Sequence, residues 1–207
     1  MDAVKTNPGE KDRLKIQIYR NKNAEELTTD LSDPECRADA GSAAAMTASL
    51  ASSMLKRAAA LAERACSEQE DVKYVVRNSE ILRSYMVKLI DEDVKCRGPL
   101  RRALKEGGER EIEAARQTGV CICQEIVAMS GKGLELLKQI KPFSDNEARY
   151  LIVSSAELFM ASVKTCVSYI IHMGDYSTDD TYQYVLKREN EITLSDYSKL
   201  YEEIVME

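Results

Sequence analysis

The 26 residues Ala40–Ala65, AGSAAAMTASLASSMLKRAAALAERA, constrain this chain more than any other stretch. They contain strong helix formers throughout, no proline, and no glycine after Gly41. Nearly every apolar residue is small. Ala44, Ala48, Ser52 and Leu55 recur at helical spacing on one strip, and Ala43, Thr47, Leu50 and Met54 on the adjoining one. Between Asp39 and Lys56 there is no charge. A solvent-facing alanine-rich helix carries charges along its whole length, whereas small uncharged strips let neighbouring backbones approach closely. The stretch is therefore expected to be a central helix, with longer-side-chained helices packed on several sides.

The rest of the 207-residue chain suits such a helix. Tryptophan is absent, there are two phenylalanines, nine glycines and four prolines, and Ala, Leu, Val and Ile supply the apolar mass. This composition points to an all-α, multi-helix bundle in one domain. Residues 1–22 read as an N-terminal arm and residues 23–207 as the helical bundle. Within the arm, residues 14–19 (LKIQIY) alternate apolar and polar, the signature of a short strand. Asn23 with Glu26 forms a capping box for a short helix that Asp33-Pro34 ends. A long amphipathic helix is expected over residues 72–95, broken or kinked at Gly98-Pro99, with a short basic segment at 100–105. Residues 109–140 read as another long helix, bent at Gly131 and Gly133. Ser144 with Glu147 suggests a capping box for a helix over 145–173. A tyrosine-rich helix over 180–205, with a break near Thr193, closes the chain.

Charge and motif content narrow the function. A formal net charge of −6 and a pI near 5.1 argue against general nucleic-acid binding. No apolar run approaches a membrane span and no signal-peptide core opens the chain, so a soluble, cytoplasmic protein is expected. The six cysteines are scattered, and with a single histidine they read as structural thiols in a reducing compartment rather than a metal site. No phosphate loop, dinucleotide fingerprint or HExxH is present. His172, in the last turn of a helix, is placed to favour the helix dipole rather than to serve a triad. Two charged groups stand out: the acidic run Asp91-Glu92-Asp93, and the cations Lys95, Arg97, Arg101, Arg102 and Lys105 just after it.

Three stretches, in this order, carry a resemblance: GSAAAMTASLASSML (41–55), NSEILRSYMVKLIDEDV (78–94) and AELFMASVKTCVSYIIHMGD (156–175). LSDYSKLYEEIV (194–205) looks like a closing helix. Together they resemble the formiminotetrahydrofolate cyclodeaminase and methenyltetrahydrofolate cyclohydrolase family over roughly residues 24–205. The resemblance implies an all-helical homodimer acting on folate-bound one-carbon units, with no metal or redox cofactor and a tetrahydrofolate derivative as substrate. The acidic balance and the lack of a long apolar run add the expectation that no nucleic acid or membrane takes part.

The resemblance places the catalytic acid at Asp93. Opening a methenyl bridge needs water at a cationic carbon and a base for its proton; releasing ammonia from a formimino group needs acid help for the leaving nitrogen. Asp39, Gly41 and Ser42, before and at the start of the central helix, would bind substrate, the latter two through backbone donors. Arg101 and Arg102 would hold the carboxylates of a folate tail, and Asp145 would match an acid the family carries before its penultimate helix. Asp93→Asn is expected to stop turnover and leave the fold nearly intact. The chain also departs from the pattern. The family's proline-glycine loop is reduced to Arg37-Ala38-Asp39-Ala40-Gly41-Ser42, and its lysine-bearing segment is shortened to residues 66–71. These departures define the alternative, a non-catalytic dimeric relative that binds or scaffolds.

Overall fold

The computed structural model describes residues 18–34, 36 and 38–206. Of the expected strand, residues 14–17 lie outside the described residues. Ile18 is extended, Tyr19–Asn21 form a 3₁₀ turn, and no strand occurs among the described residues. The fold is an all-α bundle of α1 (Ala24–Ser32), α2 (Ala40–Ala65), α3 (Glu70–Glu106), α4 (Glu109–Ile140), α5 (Asn146–Gly174) and α6 (Asp180–Val205). A second 3₁₀ turn, Lys141–Phe143, joins α4 to α5.

Helix boundaries follow their caps. The Asn23–Glu26 capping box starts α1. Asp39 caps α2 by accepting from Ala40 N at 2.8 Å. At α5 the cap is Asp145, which accepts from Ala148 N at 2.8 Å; Ser144 instead turns back to Lys141 O. The carboxylate one residue later is the better acceptor for the third amide, so the expected Ser144 box does not form.

Two expected breaks are absent. Helix α3 runs unbroken through Gly98-Pro99, and α6 runs through Thr193. Proline costs an interior helix roughly 3 kcal/mol, which burial of Val94, Leu100 and Ala103 on the same helix offsets. The glycines Gly131 and Gly133 lie inside an uninterrupted α4 and serve packing. A Cβ on Gly131 would lie 2.1 Å from Tyr197 Cζ, and one on Gly133 2.3 Å from Phe159 Cζ. Each glycine is a socket for an aromatic ring on a neighbouring helix.

Helix α2 is central, packed against α5, α3 and α4. Ala44, Ala48, Ser52 and Leu55 are all buried, with Ala48 fully so. Small side chains bring α5 close enough for Ser155 Oγ to donate to Ala51 O at 2.8 Å and Ser162 Oγ to Ala44 O at 3.0 Å. Enlarging Ala48 to Leu should overpack this seam and lower stability on the order of 1–3 kcal/mol, read as a reduced urea midpoint at constant m-value. The adjoining strip behaves differently. Ala43, Thr47 and Met54 are only half-buried and Leu50 is 54% exposed, so this strip faces outward.

Helix α5 is long and apolar enough to cross a bilayer by length and composition, contrary to the reading that no such run exists. Contacts with α2, α4 and α6 account for that character: it is a core helix. At its end, the fully buried Arg116 of α4 donates from Nη1 to Met173 O at 2.9 Å and holds Glu113 through its other nitrogens. A guanidinium there satisfies an orphan carbonyl and complements the helix dipole. None of the six cysteines forms a disulfide.

Candidate functional site

Asp93, six turns into α3, has no solvent exposure. Its partners come from two helices. Ser42 N donates to Oδ2 at 2.9 Å and Ser42 Oγ donates to the same oxygen at 2.7 Å. Arg97, one turn on at i+4, donates from Nη2 to Oδ1 at 2.9 Å. The first turn of α2 presents free amides and the positive end of its dipole, so a carboxylate at this spot meets both a local donor pair and a favourable field. Gly41 makes the approach possible: a Cβ there would sit 2.2 Å from Asp93 Oδ1.

Arg97 is itself 5% exposed and links the buried acid to the surface. Its Nη1 lies 3.3 Å from Oδ2 of the half-exposed Asp39, and its guanidinium carbon stands 4.2 Å from the centroid of the Tyr169 ring on α5. Burial works against its charge, but Asp93, Tyr169 and Asp39 outweigh burial and hold its pKa above the ordinary value. Burial pushes the Tyr169 phenol up to about 12, with Arg97 opposing and the neighbouring Cys123 and Asp93 adding to the rise. Burial first, then Asp93, pushes the Cys96 thiol up to about 11. Deeper in, the Cys123 thiol is raised by its hydrogen bond with Cys166 and by burial. These residues form one low-dielectric cluster around an ion pair.

The acid two residues earlier does a separate job. Asp91, also buried, accepts from Tyr19 N at 2.7 Å and Arg20 N at 3.2 Å, and pairs with Arg20 Nε at 3.2 Å. It fastens the 3₁₀ turn to α3 beside the Asp93 cluster. Tyr19, 3% exposed, reaches on to Cys36 Sγ at 3.4 Å. Arg101 Nη2 donates to Cys36 O at 2.5 Å, so the segment leading into α2 is held from both sides.

The structure thus gathers Asp93, Asp39, Gly41 and Ser42 at one point. Arg101, one turn past Arg97, lies alongside and engages the segment before α2. Arg102 turns to another face and lines a cavity of about 510 Å³ with Pro99, Ala103, Glu106 and Thr118. Asp145 is not in the cluster. It caps the start of α5, while Tyr169 lies 24 residues further along that helix, about 36 Å away at 1.5 Å per residue. Among the described residues no three His, Cys, Asp or Glu side chains converge as metal ligands would. Sequence reasoning missed Arg97 and Tyr169 as site members. The i, i+4 spacing of Asp93 and Arg97 was a usable signal; nothing in the sequence marked Tyr169, because it arrives from another helix.

Comparisons with known proteins agree with this architecture. No curated protein matches the chain. A crystal structure of formiminotetrahydrofolate cyclodeaminase from Thermotoga maritima superposes with a TM-score of 0.76 at 12% identity, covering 90% of this chain and 96% of that one. At that identity the match establishes the shared fold. The sequence profile of the formiminotransferase-cyclodeaminase family matches residues 23–188, which takes in α1 through α5 and the start of α6. With most of its length matched, the chain belongs to the formiminotransferase-cyclodeaminase family.

Proposed function

We propose that this protein binds a one-carbon tetrahydrofolate and opens or closes its methenyl bridge at the Asp93–Arg97 pair, by acid–base chemistry of the cyclodeaminase or cyclohydrolase type. One observation carries the reading. A fully buried carboxylate is paired with a buried arginine at the first turn of the central helix, in a chain of this family. Buried ion pairs contribute little net stability compared with well-packed apolar groups, and they concentrate at functional sites. In hydrolysis, water adds to the cationic bridge carbon and gives its proton to Asp93. As one carbon–nitrogen bond breaks, the leaving nitrogen takes a proton back, and the new hydroxyl loses its own to become the formyl carbonyl. Arg97 keeps the carboxylate oriented throughout. Gly41 and Ser42 bring backbone donors, Asp39 orients Arg97, and Arg101, alongside Arg97, is the cation for a folate tail's carboxylate, whereas Arg102 faces the separate cavity between α3 and α4.

The test is direct. Purified protein is mixed with methenyl-tetrahydrofolate and the loss of its absorbance is followed, while ammonia release is assayed from the formimino form. Turnover of either supports the proposal, and absence of both turnover and binding sinks it. A second reading, a non-catalytic binding protein, is favoured by the occupancy of both Asp93 oxygens by Ser42 and Arg97. It predicts a ligand-induced thermal shift without turnover; at a hundred times the dissociation constant the ligand adds about 2.7 kcal/mol.

The proposed assembly is a homodimer in the cytoplasm, formed on the outward strip of α2. That strip is uncharged from Ala40 to Leu55 yet leaves Leu50 54% exposed. Light scattering should give twice the 23.2 kDa chain mass at micromolar concentration, and Leu50→Glu should shift the protein to monomer. A monomeric wild type would end this part of the proposal.

A further inference from the structure

Two buried polar atoms in the cluster have no hydrogen-bond partner among the described residues: Arg97 Nε and the Tyr169 hydroxyl. Both belong to side chains more than nine-tenths buried, and the two side chains are stacked on each other. Buried polar atoms in folded proteins are nearly always satisfied, so a pair of orphans at one place calls for an explanation. The neighbouring side chains supply none. Asp93 already takes Ser42 and the far side of Arg97. The neighbouring Cys123 thiol is engaged with Cys166. The hydroxyl instead faces α4 at Gly119, where a Cβ would come to 3.2 Å from it; any larger residue would crowd the space that the glycine leaves. One helical turn earlier on α4, Ala115 lines the 510 Å³ cavity between α3 and α4.

We infer that Tyr169 is a ligand-contacting residue whose hydroxyl, with the Arg97 guanidinium stacked over its ring, donates to the oxygen that forms on the one-carbon unit. This rests on the one-carbon reading above and adds to it a named donor for the developing oxygen. The phenol keeps its proton through the reaction; its contribution is a fixed dipole in a buried site, the same role oxyanion-hole donors fill elsewhere. Gly119 is the matching packing feature: the missing side chain lets the hydroxyl end of the ring lie against α4 without being pushed aside.

The experiment is Tyr169→Phe, which preserves the ring under Arg97 and deletes only the hydroxyl. The free variant should melt about 2–4 °C higher, because an unsatisfied buried hydroxyl has been removed. Its kcat for methenyl-tetrahydrofolate should fall about 10²–10³-fold with KM nearly unchanged. Gly119→Ala, which leaves the hydroxyl but presses a methyl to 3.2 Å from it and so displaces it, should also lower kcat. A lower melting temperature for free Tyr169→Phe would mean that the hydroxyl has a protein partner, and would overturn the inference. So would unchanged kcat in Tyr169→Phe while the wild type turns over. If the wild type binds without turnover, an equal ligand-induced thermal shift in wild type and variant overturns it as well. A wild type that neither binds nor converts methenyl- or formimino-tetrahydrofolate overturns the one-carbon reading itself, and the inference with it.

Discussion

Asp93→Asn should cost about 3–5 kcal/mol of stability and lower turnover about 10²–10⁴-fold. The two side chains are almost the same size, which led to the expectation that the fold would be nearly unaffected. The packing revises that expectation. Three donors converge on this carboxylate, two from Ser42 and one from Arg97, and its exposure is zero. An amide supplies one acceptor oxygen and turns an NH₂ toward at least one of those donors. It also strips Arg97 of its buried counter-charge, leaving the 55%-exposed Asp39 as the remaining carboxylate. Urea denaturation should therefore show a large drop in midpoint. In the double variant Asp93→Asn/Arg97→Met, much of the loss should return, since removing both charges is far cheaper than stranding one. Additive losses would mean that the pair is not coupled, contrary to the 2.9 Å contact.

Gly41→Ala should destabilise on the order of 1–3 kcal/mol even though alanine is the better helix former. The added methyl would lie 2.2 Å from Asp93 Oδ1 and 2.6 Å from its Cγ. Asp93 is held by a short side chain on a rigid helix, so the first turn of α2 must move away. That movement lengthens the Ser42 bonds to Oδ2 and separates the amide donors from the acid. Stability and turnover should fall together, and pairing the change with Asp93→Ala should recover part of the stability. An unaltered urea midpoint for Gly41→Ala would show that α2 does not press on Asp93.

Much of this architecture is legible from residue types. The span of α2 follows from Asp39, the small-residue strips and the absence of breakers, because capping and propensity are local. The Asn23–Glu26 box and the extent of α4, Glu109–Ile140, follow on the same grounds. Local rules failed where a neighbour overrode them. Pro99 stays helical because the residues around it are buried, and Ser144 loses the cap to Asp145. Gly131 and Gly133, within an unbroken α4, admit Tyr197 and Phe159. The two strips of α2 look alike in sequence, and only packing decides that Ala48 is enclosed while Leu50 meets solvent.

The candidate site divides in the same way. The acid, the glycine-serine turn and the i+4 arginine are written in the chain, since each is a short-range pattern on one helix. Their convergence is not, because Asp93 and Ser42 are 51 residues apart and meet only when α2 and α3 pack. Tyr169 is placed over Arg97 by α5, a further 72 positions along the chain. Asp145, chosen by its place in a sequence pattern, caps the far end of that same helix. The sequence alone determined which segments are helical and which of them bury small side chains, because those depend on neighbours within a turn or two. Tertiary structure decided which charges are buried together and which hydroxyl is left without a partner, because burial and pairing depend on what other helices bring.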